Sequence, residues 1–307
     1  MRTLRNGALQ SAILLLVIAN LLWAGQGIAV KSLAGGLGPL ATALLPLYAI
    51  TLVGFVALSA RSDVGQKLGA AWKRRRTFFL AGICGQLTAQ VGMTLGISWS
   101  TASNGAILSL LIPIFSALIA VWLLRERLTA LRVGVLLLGL AGVLLFSPLH
   151  GAPSSGGHSH QLAGNLLIVT GCLGSAFYNV YSKRLLDYFS ALEILFFSYL
   201  STTVFSLPLL ILLEPHCLSM LAHLSLMQWA TFEYLAVFFY GVSMVLFLRA
   251  LSIVDIVVAS ASLYLMPPFG VALASSILGE RLAPRELLGS AVILTAALML
   301  FRFDYAL

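Results

Sequence analysis

The chain has 307 residues, 60% of them hydrophobic and 9% charged, with a mean hydropathy of +1.01. Soluble domains carry about 25% charged residues, so a water-covered fold is excluded. The formal charge of +8 would suit a nucleic-acid partner, but the basic residues sit in short connections between apolar blocks, where they orient a membrane protein rather than bind a polyanion. Cys84, Cys172 and Cys217 have no CxxC spacing, so neither a disulfide framework nor a zinc site is expected.

The apolar blocks are near or above 18 residues, the length that crosses about 30 Å of hydrocarbon. No strand-like alternation occurs, and in lipid a helix pairs all its amides within one segment, so ten membrane helices are predicted. The first covers about 9–32. Arg2 and Arg5 precede it, but no small-x-small cleavage site follows, and it is read as a retained helix rather than a signal peptide. It carries Trp23, Gln26 and, near its end, Lys31. The second covers about 39–60, with Pro46 inside, and a basic connection follows over 61–76.

The third span, about 77–98, places Gln86, Gln90 and Thr94 four residues apart on one face. Amides facing lipid are costly, so this face turns into the bundle, as interhelical hydrogen bonds or as the wall of a wet cavity. Two long amides on one stripe favour the cavity. The fourth span, about 101–124, has Pro113 near its middle and ends in Glu126-Arg127, read as the cap of a short turn. The fifth covers about 130–148, and a Gly/Ser/His linker occupies 150–161. His158 and His160 form an HxH there, but a metal would need further ligands, so no metal site is expected.

The sixth span, about 162–184, holds Tyr178, Asn179, Tyr181, Ser182 and Lys183. The seventh, about 190–213, contains Pro208, and the eighth, about 229–249, contains Tyr240. The ninth, about 255–278, contains Tyr264, Pro267 and Pro268, and the tenth covers about 284–302.

The chain says the same thing twice. Leu124-Arg-Glu126-Arg127-Leu-Thr129 returns as Leu278-Gly-Glu280-Arg281-Leu-Ala283, and Pro113 returns as Pro267, both at an offset of 154. Val30-Lys31-Ser-Leu33 matches Ser182-Lys183-Arg-Leu185 at 152, so Gln26 and Tyr178 are mates as well. The expected organisation is a first repeat over 1–149, an external linker over 150–161 and a second repeat over 162–307. Five crossings per copy start the second copy on the opposite side, so the two five-helix repeats are inverted. With the N-terminus inside, 15 of the 18 Lys and Arg fall inside, and only Lys31, Arg281 and Arg285 fall outside. The positive-inside rule therefore puts both termini in the cytoplasm.

Proline frees the carbonyl four residues back, here at Ser109 and Leu263. Interrupted helices at matching places in inverted halves point to a transporter's binding site, the bland alternative being a structural kink. Aromatics with polar tips, such as Trp23, Tyr178 and Tyr264, can stack on or hydrogen-bond a small solute. Lys31 and Lys183, at helix ends, read as snorkelling side chains, with a gate or an anion contact as the alternative. No Asp or Glu falls at mid-membrane and no His within a span. This favours exchange or facilitated diffusion over built-in proton coupling.

These residues resemble the drug/metabolite transporter superfamily in its EamA-type branch. Trp23-Ala-Gly-Gln-Gly-Ile-Ala-Val-Lys31, Asn104 to Pro113 leading to Glu126-Arg-Leu-Thr129, Phe247-Leu-Arg-Ala-Leu251, Ala261 to Pro267 and Gly279-Glu-Arg-Leu282 carry the resemblance over essentially the whole chain. It implies a ten-helix inverted-repeat carrier of the inner membrane, moving small metabolites or drugs, often outward. The implied cavity is lined mainly by the first, third, fourth, sixth, eighth and ninth spans, with the fifth and tenth peripheral and available for dimer contacts. Relatives often carry an Arg seven residues after a Pro in the second span, where this chain has Pro46 after Pro39. The expected substrate path is Trp23, Gln26, Gln86, Gln90, Pro113, Tyr178, Asn179, Tyr264 and Pro267, with Lys31 and Lys183 as gate candidates. The expected partners are a small-molecule substrate and the bilayer, with no cofactor and no nucleic acid, in a monomer or homodimer. A receptor or assembly subunit without transport, and an intramembrane enzyme, are the rival readings.

Overall fold

The computed structural model describes residues 2–33, 35–100, 105, 108–146, 158–278 and 284–303. No strand occurs among them. Six apolar helical runs are long enough to cross a membrane: Gly7–Val30, Pro39–Ser59, Arg75–Trp99, Gln161–Leu185, Ala191–Leu213 and Leu226–Leu251. Four shorter apolar helices accompany them: Leu111–Leu124, Ala130–Gly142, Ile256–Gly270 and Leu287–Met299. Leu52, Val53, Phe55, Val56, Trp122 and Leu212 are exposed on outward faces. That surface is stable against lipid and untenable in water.

In chain order the helices are α1 (Arg2–Ala24), α2 (Gln26–Leu33), α3 (Pro39–Ser59), α4 (Val64–Lys73), α5 (Arg75–Trp99), α6 (Leu111–Leu124) and α7 (Ala130–Phe146). They continue as α8 (His158–Leu185), α9 (Ala191–Leu213), α10 (Cys217–Ala222), α11 (Leu226–Leu251), α12 (Ile256–Ala261), α13 (Met266–Leu278) and α14 (Pro284–Phe303). The sixth span thus begins at His158, inside the expected linker. His158-Ser-His-Gln161 contains no Pro or Gly to stop the helix earlier. Residues 150–157 of the linker, Glu280 and Arg281 lie outside the described residues.

Packing is reciprocal between the sequence repeats. Helix α5 packs on α8, and α1 packs on α11, so the third span of each copy meets the first span of the other. Helix α9 packs on α3, and α14 on α7. Small residues set these distances. A Cβ built on Gly92 would lie 2.8 Å from Gly171 Cα, and one on Gly96 2.8 Å from the Gly164 carbonyl. Helices α5 and α8 therefore touch backbone to backbone, where dispersion over the contact replaces the hydrophobic drive that lipid lacks.

Both repeats also contain a π-helical stretch in the third span, Ala81–Leu87 in α5 and Tyr234–Val242 in α11. Wide turns leave carbonyls open to side chains. In α5, Thr202 Oγ1 donates to the Gly82 carbonyl at 3.0 Å. In α11, Tyr199 Oη donates to the Tyr240 carbonyl at 3.1 Å, and Trp23 Nε1 to the Phe239 carbonyl at 3.2 Å. Helix α9 thus ties both stretches together.

The helix ends form two separate groups. Lys67 pairs with Glu193, and Lys183 with Glu126 and Asp255, at the end that carries the basic connection. At the other end the Glu214 carboxylate caps α3, accepting from the amides of Leu40 and Ala41 at 2.9 and 3.0 Å. A carboxylate on the first amides of a helix suits the positive end of its dipole.

Candidate functional site

The stripe on the third span lies where both repeats meet. Gln90 Nε2 donates to Gln86 Oε1 at 3.4 Å. Tyr240 Oη, from α11, lies 3.0 Å from Gln90 Oε1 and 2.8 Å from the Ala43 carbonyl of α3, and its one proton is shared between those acceptors. Gln86 and Tyr240 are buried, and Gln90 is half-buried. On α8, Tyr178 is 1% exposed, with its hydroxyl 3.1 Å from Ser198 Oγ and its side chain packed over Gly85. Asn179, the next residue on α8, is buried. In this conformation the Gln90 amide serves as an interhelical hydrogen-bonding group, and Gln86, Tyr178 and Tyr240 beside it are buried.

Trp23 comes into the same core from α1, its ring 5.3 Å from that of Phe247 and tilted by 54°. Gln26 is half-buried at the first position of α2, after the break at Gly25. That break is a close contact: a Cβ on Gly25 would lie 2.2 Å from Tyr234 Oη. Tyr234 Oη donates to the Leu22 carbonyl at 2.5 Å, so α11 holds the first span where it is interrupted.

The prolines begin helices rather than kink their middles. Pro113 is the third residue of α6 and Pro267 the second of α13, in the first turn, where the missing amide leaves no intrahelical bond unmade. The interruptions themselves are at Leu110 and over the 3-10 turn Ser262–Leu265. Their exposed carbonyls find side chains. Cys172 Sγ lies 3.4 Å from the Leu108 carbonyl, and Tyr264 Oη 3.5 Å from that of Leu110. Asn20 Nδ2 reaches Ser262 Oγ at 2.9 Å, which brings α1 to the second interruption.

Lys183 is brought into an ion cluster. Its Nζ donates to the Val254 carbonyl at 2.7 Å and lies 3.3 Å from Glu126 Oε1 and 3.7 Å from Asp255 Oδ1. Arg132 Nη2 pairs with Asp255 Oδ2 at 2.5 Å. Glu126 is more than the cap of its own turn: its carboxylate accepts from the amides of Ile256 and Val257 at 3.0 and 3.5 Å, capping α12 across the bundle. The Lys31 side chain lies outside the described residues. Asp255, Glu214, Tyr199 and Asn20 belong to these networks and are not singled out by the sequence pattern, because each is a lone polar residue at a span end or inside an apolar run.

A separate cavity of about 400 Å³ opens between α3, α9 and α11, lined by Ile50, Gly54, Ala57, Phe196 and Val245, with Arg61 and Arg249 at one end.

Comparison with known proteins agrees with this architecture. The model of the EamA-like transporter family matches residues 10–147 and 162–302, one match per repeat. A relative from Streptantibioticus cattleyicolor, described as a probable terminal-alkyne amino-acid exporter, is 26% identical over 298 residues, covering 96% of this chain and 94% of its own. The uncharacterized transporter YetK of Bacillus subtilis is 32% identical over 130 residues, 42% of this chain and 37% of its own. A solved crystal structure superposes with a TM-score of 0.77 at 22% identity, over 94% of this chain and 96% of that one, which establishes the shared fold. A chain matched by one family in both halves, helical and apolar throughout, is a multi-pass membrane transporter and belongs to the EamA-like transporter family.

Proposed function

We propose that the chain exports small metabolites, amino-acid-like solutes first among them, by alternating access at a central polar site. Ten membrane crossings form two inverted five-helix repeats in the cytoplasmic membrane, with both termini in the cytoplasm. The solute class is suggested by the description of the relative that covers 94% of its own length in the match. Inversion is supported by the odd number of crossings in each copy and by the reciprocal packing of α5 on α8 and α1 on α11.

One observation carries the site: the Gln90 amide is held by Tyr240 from the other repeat, 150 residues away. A group shared between two bodies that rock against each other is exposed when they part. Gln86, Gln90, Tyr178 and Asn179 then offer amides and a phenol to the solute's polar groups, with Trp23 and Tyr264 as apolar walls. The interruptions before Pro113 and Pro267 supply carbonyls near the same level, and Gln26 lies beside the first-span break. Lys183, with Glu126 and Asp255, holds the cytoplasmic ends of α8, α6 and α12 together, and opening to that side separates them. Lys31 is the corresponding group at the outer end. No cofactor enters this scheme, and a monomer or a homodimer serves it equally.

Counterflow in proteoliposomes against a panel of amino acids, aromatic metabolites and purines tests this reading. Gln90→Leu is expected to cut flux more than it cuts folded, monodisperse protein, and Tyr240→Phe is expected to shift the apparent KM. Equal loss of flux and fold in Gln90→Leu makes that residue structural. A ligand that stabilises the protein while no solute in the panel moves makes the chain a receptor.

A further inference from the structure

The cavity between α3, α9 and α11 does not belong to the central site, and its chemistry differs. Ile50, Val53, Ala57, Leu192, Phe196 and Val245 make its wall nearly all apolar. The polar wall residues are committed elsewhere: Thr51 Oγ1 donates to the Leu47 carbonyl, Tyr199 Oη to the Tyr240 carbonyl, and the Glu193 carboxylate pairs with Lys67 at 3.0 Å. A polar solute would find no hydrogen-bonding partner inside. Val53 and Leu192 are more than half exposed, so the cavity opens sideways to the hydrocarbon.

Its length and its charged end indicate what fills it. The wall runs from Ile50 on α3 to Arg61, two residues past the end of that helix, and along α11 from Val237 to Arg249. At 1.5 Å per residue these are roughly 17 and 18 Å, close to one leaflet of a hydrocarbon core about 30 Å thick. The two guanidiniums therefore lie at headgroup depth while the wall spans acyl-chain depth. Arg61 is already held by Asp63 at 2.9 and 3.0 Å. Arg249 is exposed, and its guanidinium makes no ion pair among the described residues. It lies at the end that carries Lys67, Lys73, Arg74, Arg75 and Arg76, where the local field favours an anion.

We propose that this cavity is a binding site for an anionic phospholipid, with one acyl chain lying between α3, α9 and α11 and the phosphate on Arg249. The bound chain fills the seam that joins α3 of the first repeat to α9 and α11 of the second. The site stands independently of the solute that the carrier moves.

Native mass spectrometry of the purified full chain, titrated with phosphatidylglycerol and with phosphatidylcholine of identical chains, tests it. Phosphatidylglycerol is expected to be retained about fivefold better, the factor one arginine is worth against an anionic leaflet. Arg249→Gln is expected to reduce retention to the phosphatidylcholine level, while Arg249→Lys keeps the preference. Ala57→Trp, which fills the cavity from an exposed position on α3, is expected to abolish retention of both lipids. Equal retention of the two lipids, or an unchanged preference in Arg249→Gln, overturns the proposal. So does displacement of the lipid by soluble glycerol phosphate, which would show that the headgroup alone binds, or a dimer that forms as lipid is withdrawn, which would make a second copy the occupant.

Discussion

Tyr264 donates its hydroxyl to the Leu110 carbonyl, and the two residues are 154 positions apart, the same offset that separates Glu126 from Glu280 and Pro113 from Pro267. Each is therefore the other's repeat mate. The helix interruptions of both repeats therefore sit where the copies join. An interrupted helix leaves carbonyls without partners, and here one copy supplies the hydroxyl that the other copy's break leaves wanting. The matched prolines mark this place from the sequence side.

The hydrogen bond itself is long, at 3.5 Å, and its loss is a small effect. Tyr264→Phe is expected to cost under about 1 kcal/mol of stability. Tyr264→Ala is expected to cost about 3–5 kcal/mol, because the ring packs directly over Gly139 and its removal leaves a cavity. Unfolding of the purified variants in detergent, followed by circular dichroism, checks the difference.

The contact between α5 and α8 depends on glycine at particular points. Gly92→Val drives a branched side chain into the Gly171 backbone and is expected to lose about 1–3 kcal/mol. Gly134→Ala is the contrasting case, since nothing lies within 4 Å of the added Cβ, and it is expected to be neutral or slightly stabilising. The yield of monodisperse protein on size exclusion, together with melting temperature, separates the two.

Capping and ion pairing by Glu126 can be told apart. Glu126→Ala removes the acceptor for Ile256 and Val257 and is expected to cost about 1.5–3 kcal/mol. Lys183→Met leaves the cap in place and removes a partly exposed pair, with an expected coupling to Glu126 of about 0.5–1 kcal/mol. Glu126→Gln keeps a neutral acceptor and falls between wild type and Glu126→Ala. A double-mutant cycle in thermal unfolding measures both terms, and a coupling larger than the cap would reverse this ordering.

Arg125, the residue that ends α6, has φ 58°, the left-handed region that favours glycine. The second copy has Gly279 at the matching position. Arg125→Gly is expected to be neutral to stabilising by up to about 1 kcal/mol, the relief of strain working against the greater freedom of glycine in the unfolded chain.

The proposed orientation is testable with single cysteines in a background whose native cysteines are replaced by alanine. Gly65→Cys and Ser219→Cys both lie at exposed positions between apolar runs. In intact cells a membrane-impermeant maleimide is expected to label Ser219→Cys and to reach Gly65→Cys only after permeabilisation. The reverse pattern would turn the molecule over.

Much of this architecture is legible along the chain. Apolar blocks, the duplicated Glu-Arg turns and the distribution of basic residues depend only on composition and order, because lipid demands long apolar segments and self-paired backbones whatever the tertiary contacts. The inward face of Gln86 and Gln90 is legible for the same reason, from the cost of an amide in hydrocarbon. What the sequence could not determine is partnership. Gln86 and Gln90 read from the sequence as a cavity wall in preference to interhelical glue, and only the packing of α11 against α5 puts Tyr240 on Gln90. Glu126 reads as a local turn cap, and only the approach of α12 to α6 makes it the cap of a helix 130 residues away. A hydrogen bond needs its two groups within about 3 Å, and which groups come that close is decided by where glycines and alanines let helices approach, a property of two surfaces rather than of either sequence alone.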